Sequence, residues 1–278
     1  MRFRYAVGRA DPPKRIMVGI FFGESQNQGL SVVLEVTNMK RSTLIAVLLV
    51  PVLWSCQLDR ESELTNPIPP LLPDTIRYLA LGDSYTIGEG VMNQERFPVQ
   101  LADSLRATGR WWLPEPRIIA RTGWSTVELL GRLDRTNDLD VPYDLVTILI
   151  GVNNQFRGIP FQRYQTELTA LIDRAITYTG GDTARVVLIS IPDYSVTPAG
   201  QRRANAEQDA LEIDRYNAEK ERQARQYGLS YVYITDISRA VPFEPGLLAP
   251  DELHPSGLMY TRWVRRLRPV ADSLLTTF

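Results

Sequence analysis

The sequence predicts an α/β fold class: a three-layer α/β/α sandwich with a central parallel sheet. Three observations carry that prediction. Five short apolar runs recur along the chain: "TIRYLALG" (75–82), "RIIA" (117–120), "DLVTILIG" (144–151), "RVVLISI" (185–191) and "SYVYITD" (230–236). They are apolar throughout instead of alternating, which is the signature of strands covered on both faces. Helical patterns separate them, so the chain returns after each strand and consecutive strands run parallel. Finally, 278 residues with 44% hydrophobic and 23% charged content suffice for one sizeable core.

The helices announce their ends. In "STVELL", Ser125 and Glu128 stand three apart as a capping box, starting a helix just after Gly123. "FQRYQTELTALIDRAITYTGG" closes on Gly180, suited to a left-handed C-terminal cap. The last stretch spaces Met259, Trp263, Leu267, Val270 and Leu274 by three or four, a face for packing on the sheet. "ANAEQDALEIDRYNAEKERQARQYG" is mostly charged and reads as a solvated helix. No repeat of fixed period is visible.

Ahead of the domain the pattern changes. "MKRSTLIAVLLVPVLWSC" (39–56) has a basic start, an apolar run from Leu44 to Leu53 and a cysteine at its end. The run is about half of what a spanning helix requires, as in an export signal. "LWSC" resembles the lipobox of bacterial lipoproteins, which implies cleavage before Cys56, lipidation of its thiol and a membrane hold through acyl chains. The expected organisation is an upstream gene-start artefact at 1–38, a lipoprotein signal peptide at 39–55, a Pro-rich tether at 56–74 and the catalytic domain at 75–278. Export and anchoring at the bacterial cell envelope, on a periplasmic or outer-membrane face, follow as expectations.

Composition excludes several classes. A net charge of −1 with scattered basic residues gives no footprint for nucleic acid. One cysteine and one histidine cannot build a thiolate cluster or an H-E-x-x-H metal site, and no metal or other cofactor is expected. "GDSYTIGEG" lacks both the G-x-G-x-x-G spacing and a terminal Gly-Lys-Ser/Thr for cradling phosphate. Thr86 stands where the nucleophile elbow of α/β-hydrolases needs its second glycine.

In open parallel sheets ligands sit beyond the carboxyl ends of the strands. Ser84 follows the first strand, Gly123 the second, "GVNN" (151–154) the third and "DELHP" (251–255) the last. His254, the sole histidine, is the only candidate imidazole base. Asp251, three residues earlier, is within reach of Nδ1 to fix the tautomer, leaving Nε2 to face Ser84. A serine hydroxyl needs such a base, and an oxyanion needs fixed donors. Candidate donors are the N–H groups of Ser84 and Gly123 and the side-chain amide of Asn153.

Together these motifs resemble the SGNH hydrolases, or GDSL esterases. "GDSY" matches that family's first block, Gly123 its second, "GVNN" its third and "DELH" its last, in order across roughly 180 residues. The resemblance implies a flavodoxin-like fold and an esterase with a triad of Ser84, His254 and Asp251. It further implies an oxyanion hole of Ser84, Gly123 and Asn153. One departure stands out: Asn154 replaces the aspartate of Gly-x-Asn-Asp, which puts the support of that loop in question. Asp83 is expected to shape its loop, not to join the triad.

Trp124 and Tyr194 are candidate substrate contacts, the first beside Gly123 and the second in "IPDYSVTP" after the fourth strand. Trp111 and Trp112 fit an acyl or sugar subsite and a core plug equally well. The expected partner is a small-molecule or glycan ester: short acyl esters, acetylated sugars, lysophospholipids and thioesters all fit. The competing class is a catalytically silent binding module on the same scaffold.

Overall fold

A computed structural model describes residues 74–139 and 142–276. The expected upstream artefact, the signal peptide, Cys56 and the tether up to residue 73 lie outside these residues, whereas Asp74, placed in the tether, opens the first strand. β1 (Asp74–Thr75) leads to β2 (Tyr78–Gly82), followed by the single turn of α1 (Ser84–Ile87) and by α2 (Phe97–Arg106). Next come β3 (Trp111–Trp112), β4 (Arg117–Ala120), α3 (Thr126–Leu133) and β5 (Leu145–Leu149). α4 (Val152–Phe156) and α5 (Phe161–Tyr178) precede β6 (Val186–Ile189), α6 (Pro198–Gln201) and α7 (Ala206–Tyr227). β7 (Ser230–Val232), α8 (Thr235–Ser238) and α9 (Gly257–Leu275) complete the domain.

The central sheet is parallel throughout, in the order β4-β2-β5-β6-β7. Strand order reverses after β4, so the connections place α2 on one face and α3, α5 and α7 on the other. α9 packs against α2, while α3 and α7 each pack on α5. Every residue of β2, β5 and β6 is buried, as their unbroken apolar runs require. Fully buried Leu79 and Leu81 each contribute about 2 kcal/mol by leaving water. The one polar side chain inside β5, Thr147, meets the Tyr78 hydroxyl of β2 at 2.9 Å.

The expected strands are shortened by specific side chains. "TIRYLALG" divides because the Asp144 carboxylate takes the Arg77 N–H at 2.8 Å, and β1 pairs instead with β3. β7 stops at Val232 because the Ser190 hydroxyl accepts from the N–H groups of Ile234 and Thr235, turning the chain into α8. On α9 the buried face includes Met259, Trp263 and Leu267 as expected, then rotates onto Ala271 and Leu275, leaving Val270 and Leu274 partly buried.

α7 corrects the expectation of a solvated helix. Asp209, Asn217, Glu219, Lys220 and Gln223 are all buried on its inner side. Asn217 takes the Ile191 N–H at 2.7 Å and donates to the Ile191 carbonyl at 3.0 Å. Lys220 Nζ donates to the carbonyls of Ile150 and Ile189, at 2.9 and 2.8 Å. These carbonyls lie at the ends of β5 and β6, where the ladder no longer satisfies them. The helix is polar on its inner face because the strand ends it covers are polar.

Candidate active site

β2 delivers Ser84 through a turn that only glycine permits. A Cβ on Gly82 would lie 2.3 Å from the Leu149 carbonyl of β5, so this position must be bare for β2 and β5 to approach. Asp83 caps the turn, its Oδ1 accepting from the Tyr85 N–H at 3.1 Å. This is the loop-shaping role expected of it, with the carboxyl fully buried and Oδ2 without a hydrogen-bond partner among the described residues. Burial pushes this carboxyl well above the carboxylate range, a shift that the Lys220 charge opposes. Burial in turn drives Lys220 downward.

Asp251 and His254 share a tight turn held by the carboxylate itself. Oδ1 of Asp251 accepts from the N–H groups of Leu253 and His254, at 3.0 and 2.9 Å. Its Oδ2 meets His254 Nδ1 at 2.6 Å. Glu252 between them has φ 61°, the left-handed conformation that folds the turn back. Burial would raise the Asp251 pKa, but hydrogen bonds from the His254 backbone and ring outweigh it and hold it below the ordinary value. An ionised carboxylate can only accept, so Nδ1 carries the proton and Nε2 presents its lone pair. The Tyr85 ring stands edge-on to the imidazole at 5.7 Å between centroids.

The loops after β4 and β5 are stitched together. Asn153 Nδ2 donates to the Trp124 carbonyl at 2.9 Å, which leaves the amide a second N–H. Asn154 is fully buried, with Oδ1 taking the Thr126 N–H at 3.0 Å and Nδ2 donating to Thr126 Oγ1 at 2.6 Å. The asparagine that departs from the family pattern therefore supplies the support that its presence put in question. At the start of α3, Glu128 accepts from both the backbone N–H and the hydroxyl of Ser125, each at 2.6 Å. Ser125 and Glu128 thus form the expected capping box. Arg157 clamps the same carboxylate with both terminal nitrogens and, as the largest influence, holds the Glu128 pKa down at about 2.

Ser84, Gly123, Asn153 and His254 line one cavity of about 170 Å³, together with Tyr85, Thr122, Val152, Phe156, Tyr194 and Leu253. Gly123 has φ 83°, which strains any side-chain-bearing residue, although a Cβ there would meet only open space. Tyr194 is in the lining, as expected, with its hydroxyl donating to Gln155 Oε1 at 2.8 Å. Trp124 is not: it packs partly buried against the core and serves the site through its carbonyl. Trp111 is the core plug of the two readings, bonding Asp272 of α9 at 3.2 Å. Phe156 escaped the sequence reading because nothing before folding places the end of α4 beside the loops after β2 and β6. A larger hollow of about 520 Å³ runs along α2 and α9, lined by Gln100, Thr261 and Arg265 among others, and holds none of these residues.

Residues 80–262 match the model of the GDSL-like Lipase/Acylhydrolase family. The chain belongs to this family. Solved structures share its fold. TesA is 20% identical, with a TM-score of 0.54 over 73% of this chain and all of that one. The psychrotrophic esterase EstA from Pseudoalteromonas sp., inhibited by monoethylphosphonate, is 19% identical, with a TM-score of 0.53 over 73% of this chain and 100% of its own. Axe2, an acetylxylan esterase from Geobacillus stearothermophilus, is 17% identical, with a TM-score of 0.53 over 72% of this chain and 95% of its own. No curated protein matches the chain. As a GDSL-family member the protein is a hydrolase acting on ester bonds.

Proposed function

We propose that the protein cleaves carboxylic esters through an acyl-enzyme on Ser84, with His254 as base and Asp251 orienting it. The observation that carries this reading is the meeting of Ser84, His254, Gly123 and Asn153 around one cavity, with Asp251 on the far nitrogen of the imidazole. His254 Nε2 takes the Ser84 hydroxyl proton as Oγ bonds to the carbonyl carbon. The N–H groups of Ser84 and Gly123 and the second amide hydrogen of Asn153 receive the oxyanion; one such donor is worth about 3 kcal/mol of barrier. Collapse breaks the bond to the alcohol oxygen, which leaves with the proton from His254. Water then loses a proton to Nε2 as it attacks the acyl carbon, and Ser84 regains its hydrogen when the acid departs. The role of Asp251 is to stabilise the imidazolium at each protonated stage.

Acylation of Cys56 and export to the envelope belong to the same proposal, resting on the signal-like stretch at 39–56. The substrate is a small-molecule or glycan ester. Labelling by a fluorophosphonate probe tests the reading: wild type should be labelled and Ser84→Ala should not. A folded wild type that takes no label would leave the scaffold as a binding module.

A further inference from the structure

The cavity holding Ser84 and His254 has a volume of about 170 Å³ and opens to solvent. That is below the roughly 300–1,000 Å³ of pockets that take drug-sized ligands, so the space suits a small acyl group. Val152, Phe156, Tyr194 and Leu253 give it an apolar lining. Val152 and Tyr194 are buried, whereas Phe156 keeps 46% of its surface in solvent. Phe156 therefore stands at the open rim of the cavity, as the exposed Thr122 and Gly123 do.

An exposed phenylalanine makes a poor barrier if its ring is free to turn. This ring is held from two sides. Tyr194 meets it edge-on at 5.7 Å between centroids, and the Arg203 guanidinium lies over it at 4.2 Å. Arg203 is fixed in turn, since its Nε donates to Asp209 at 2.9 Å. Asp209 accepts from Gln155 Nε2 at 2.8 Å, and Gln155 Oε1 accepts from the Tyr194 hydroxyl at 2.8 Å. The contacts close on themselves: Tyr194 to Gln155, to Asp209, to Arg203, to Phe156 and back to Tyr194. A cation over an aromatic face attracts it even at an exposed site, and the closed circuit adds rigidity.

We infer that Phe156, clamped by Arg203, sets the acyl-length limit of this esterase and restricts it to short acyl groups. The inference rests on the catalytic reading above. Enlarging the open side should relax the limit, and filling it should tighten the limit. The assay measures kcat/KM on p-nitrophenyl esters from acetate to dodecanoate, below their micelle-forming concentrations. Wild type should favour acetate to butyrate over octanoate by ~20-fold or more. In Phe156→Ala the octanoate-to-acetate ratio should rise ~10-fold. In Phe156→Trp the butyrate-to-acetate ratio should fall. Arg203→Ala, which frees the ring without shortening it, should shift the ratio as Phe156→Ala does, but less.

A wild type that prefers octanoate overturns the inference, as do Phe156 variants whose chain-length profiles superimpose on wild type. A wild type that hydrolyses no ester and takes no fluorophosphonate overturns the catalytic reading along with it. Ester cleavage with an unchanged profile in the variants overturns this inference alone.

Discussion

Aspartate at position 154 would restore the family pattern, yet the hydrogen bonds around Asn154 forbid it. Thr126 Oγ1 has one hydrogen and gives it to Glu167 Oε2, whose other oxygen is held by Arg163. Oγ1 can then only accept, and the Asn154 amide supplies the hydrogen at 2.6 Å. In Asn154→Asp that nitrogen becomes an oxygen, and two acceptors face each other at a site with no exposure to water. Losing the hydrogen bond costs about 1 kcal/mol, and leaving a buried polar group unsatisfied costs about 1–3 kcal/mol more. A total near ~3 kcal/mol corresponds to a fall in Tm of roughly 6–12 °C for a domain of this size. Glu167→Gln in the same chain offers an N–H to Thr126 Oγ1 and frees the threonine hydrogen for the new carboxylate. The double variant should therefore recover about half of the loss or more. Urea titrations of wild type, both single variants and the double variant give the coupling energy directly. Asn154→Asp as stable as wild type, or a double variant no better than the sum of the singles, would refute the assigned direction of these bonds.

Ser84→Ala and His254→Ala should each lower kcat by roughly 10⁴-fold or more with the fold intact by circular dichroism; wild-type turnover in either would remove it from the triad. Asp251→Asn should cost about 10³–10⁴-fold in kcat, because the amide can present a hydrogen to Nδ1 and impose the wrong tautomer. A loss confined to KM would show Asp251 to be merely structural. Glu128, lowered from 4.5 to about 2 chiefly by Arg157, contributes stability that is present above its ordinary pKa and lost as pH falls through the folded value. Both side chains are about two-fifths exposed, so solvent screening limits the pair to about 1 kcal/mol. Denaturant midpoints of wild type and Glu128→Gln should differ at neutral pH and converge as the solution is taken from about 4.5 to about 2. A gap that persists at the acid end would place the effect in packing.

Strands were legible where burial on both faces left a local mark. "RIIA" is β4 residue for residue, and "DLVTILIG" contains the whole of β5. Gly180 takes φ 71° just past α5, because a C-terminal cap is chosen by residues adjacent in the chain. The inner face of α7 was illegible for the opposite reason. A buried lysine has the same letter as a solvated one, and only the assembled sheet supplies the carbonyls of Ile150 and Ile189 that accept its hydrogens. Within the site, motif order sufficed to bring out Ser84, Gly123, Asn153 and His254, which the fold gathers at one cavity. Adjacency to Gly123 fixed where the Trp124 backbone lies, and it is the Trp124 carbonyl that Asn153 holds. Phe156 and Arg203 carry no motif, and 47 residues of sequence separate two groups that lie 4.2 Å apart.

Placing Asp251 and His254 on one short turn divides the site into parts of unequal durability. Their mutual distance is set by a few bonds of continuous chain and by the carboxylate gripping its own backbone. The distance from His254 to Ser84 is set by the assembly of β2, α9 and everything between them. Thermal loosening or mild denaturant therefore strains the second distance long before the first. The charge-bearing pair behaves as a prefabricated cartridge that can be displaced whole and reseated whole. Turnover should accordingly be lost on gentle heating before the sheet melts, and return on cooling, in parallel activity and circular-dichroism scans.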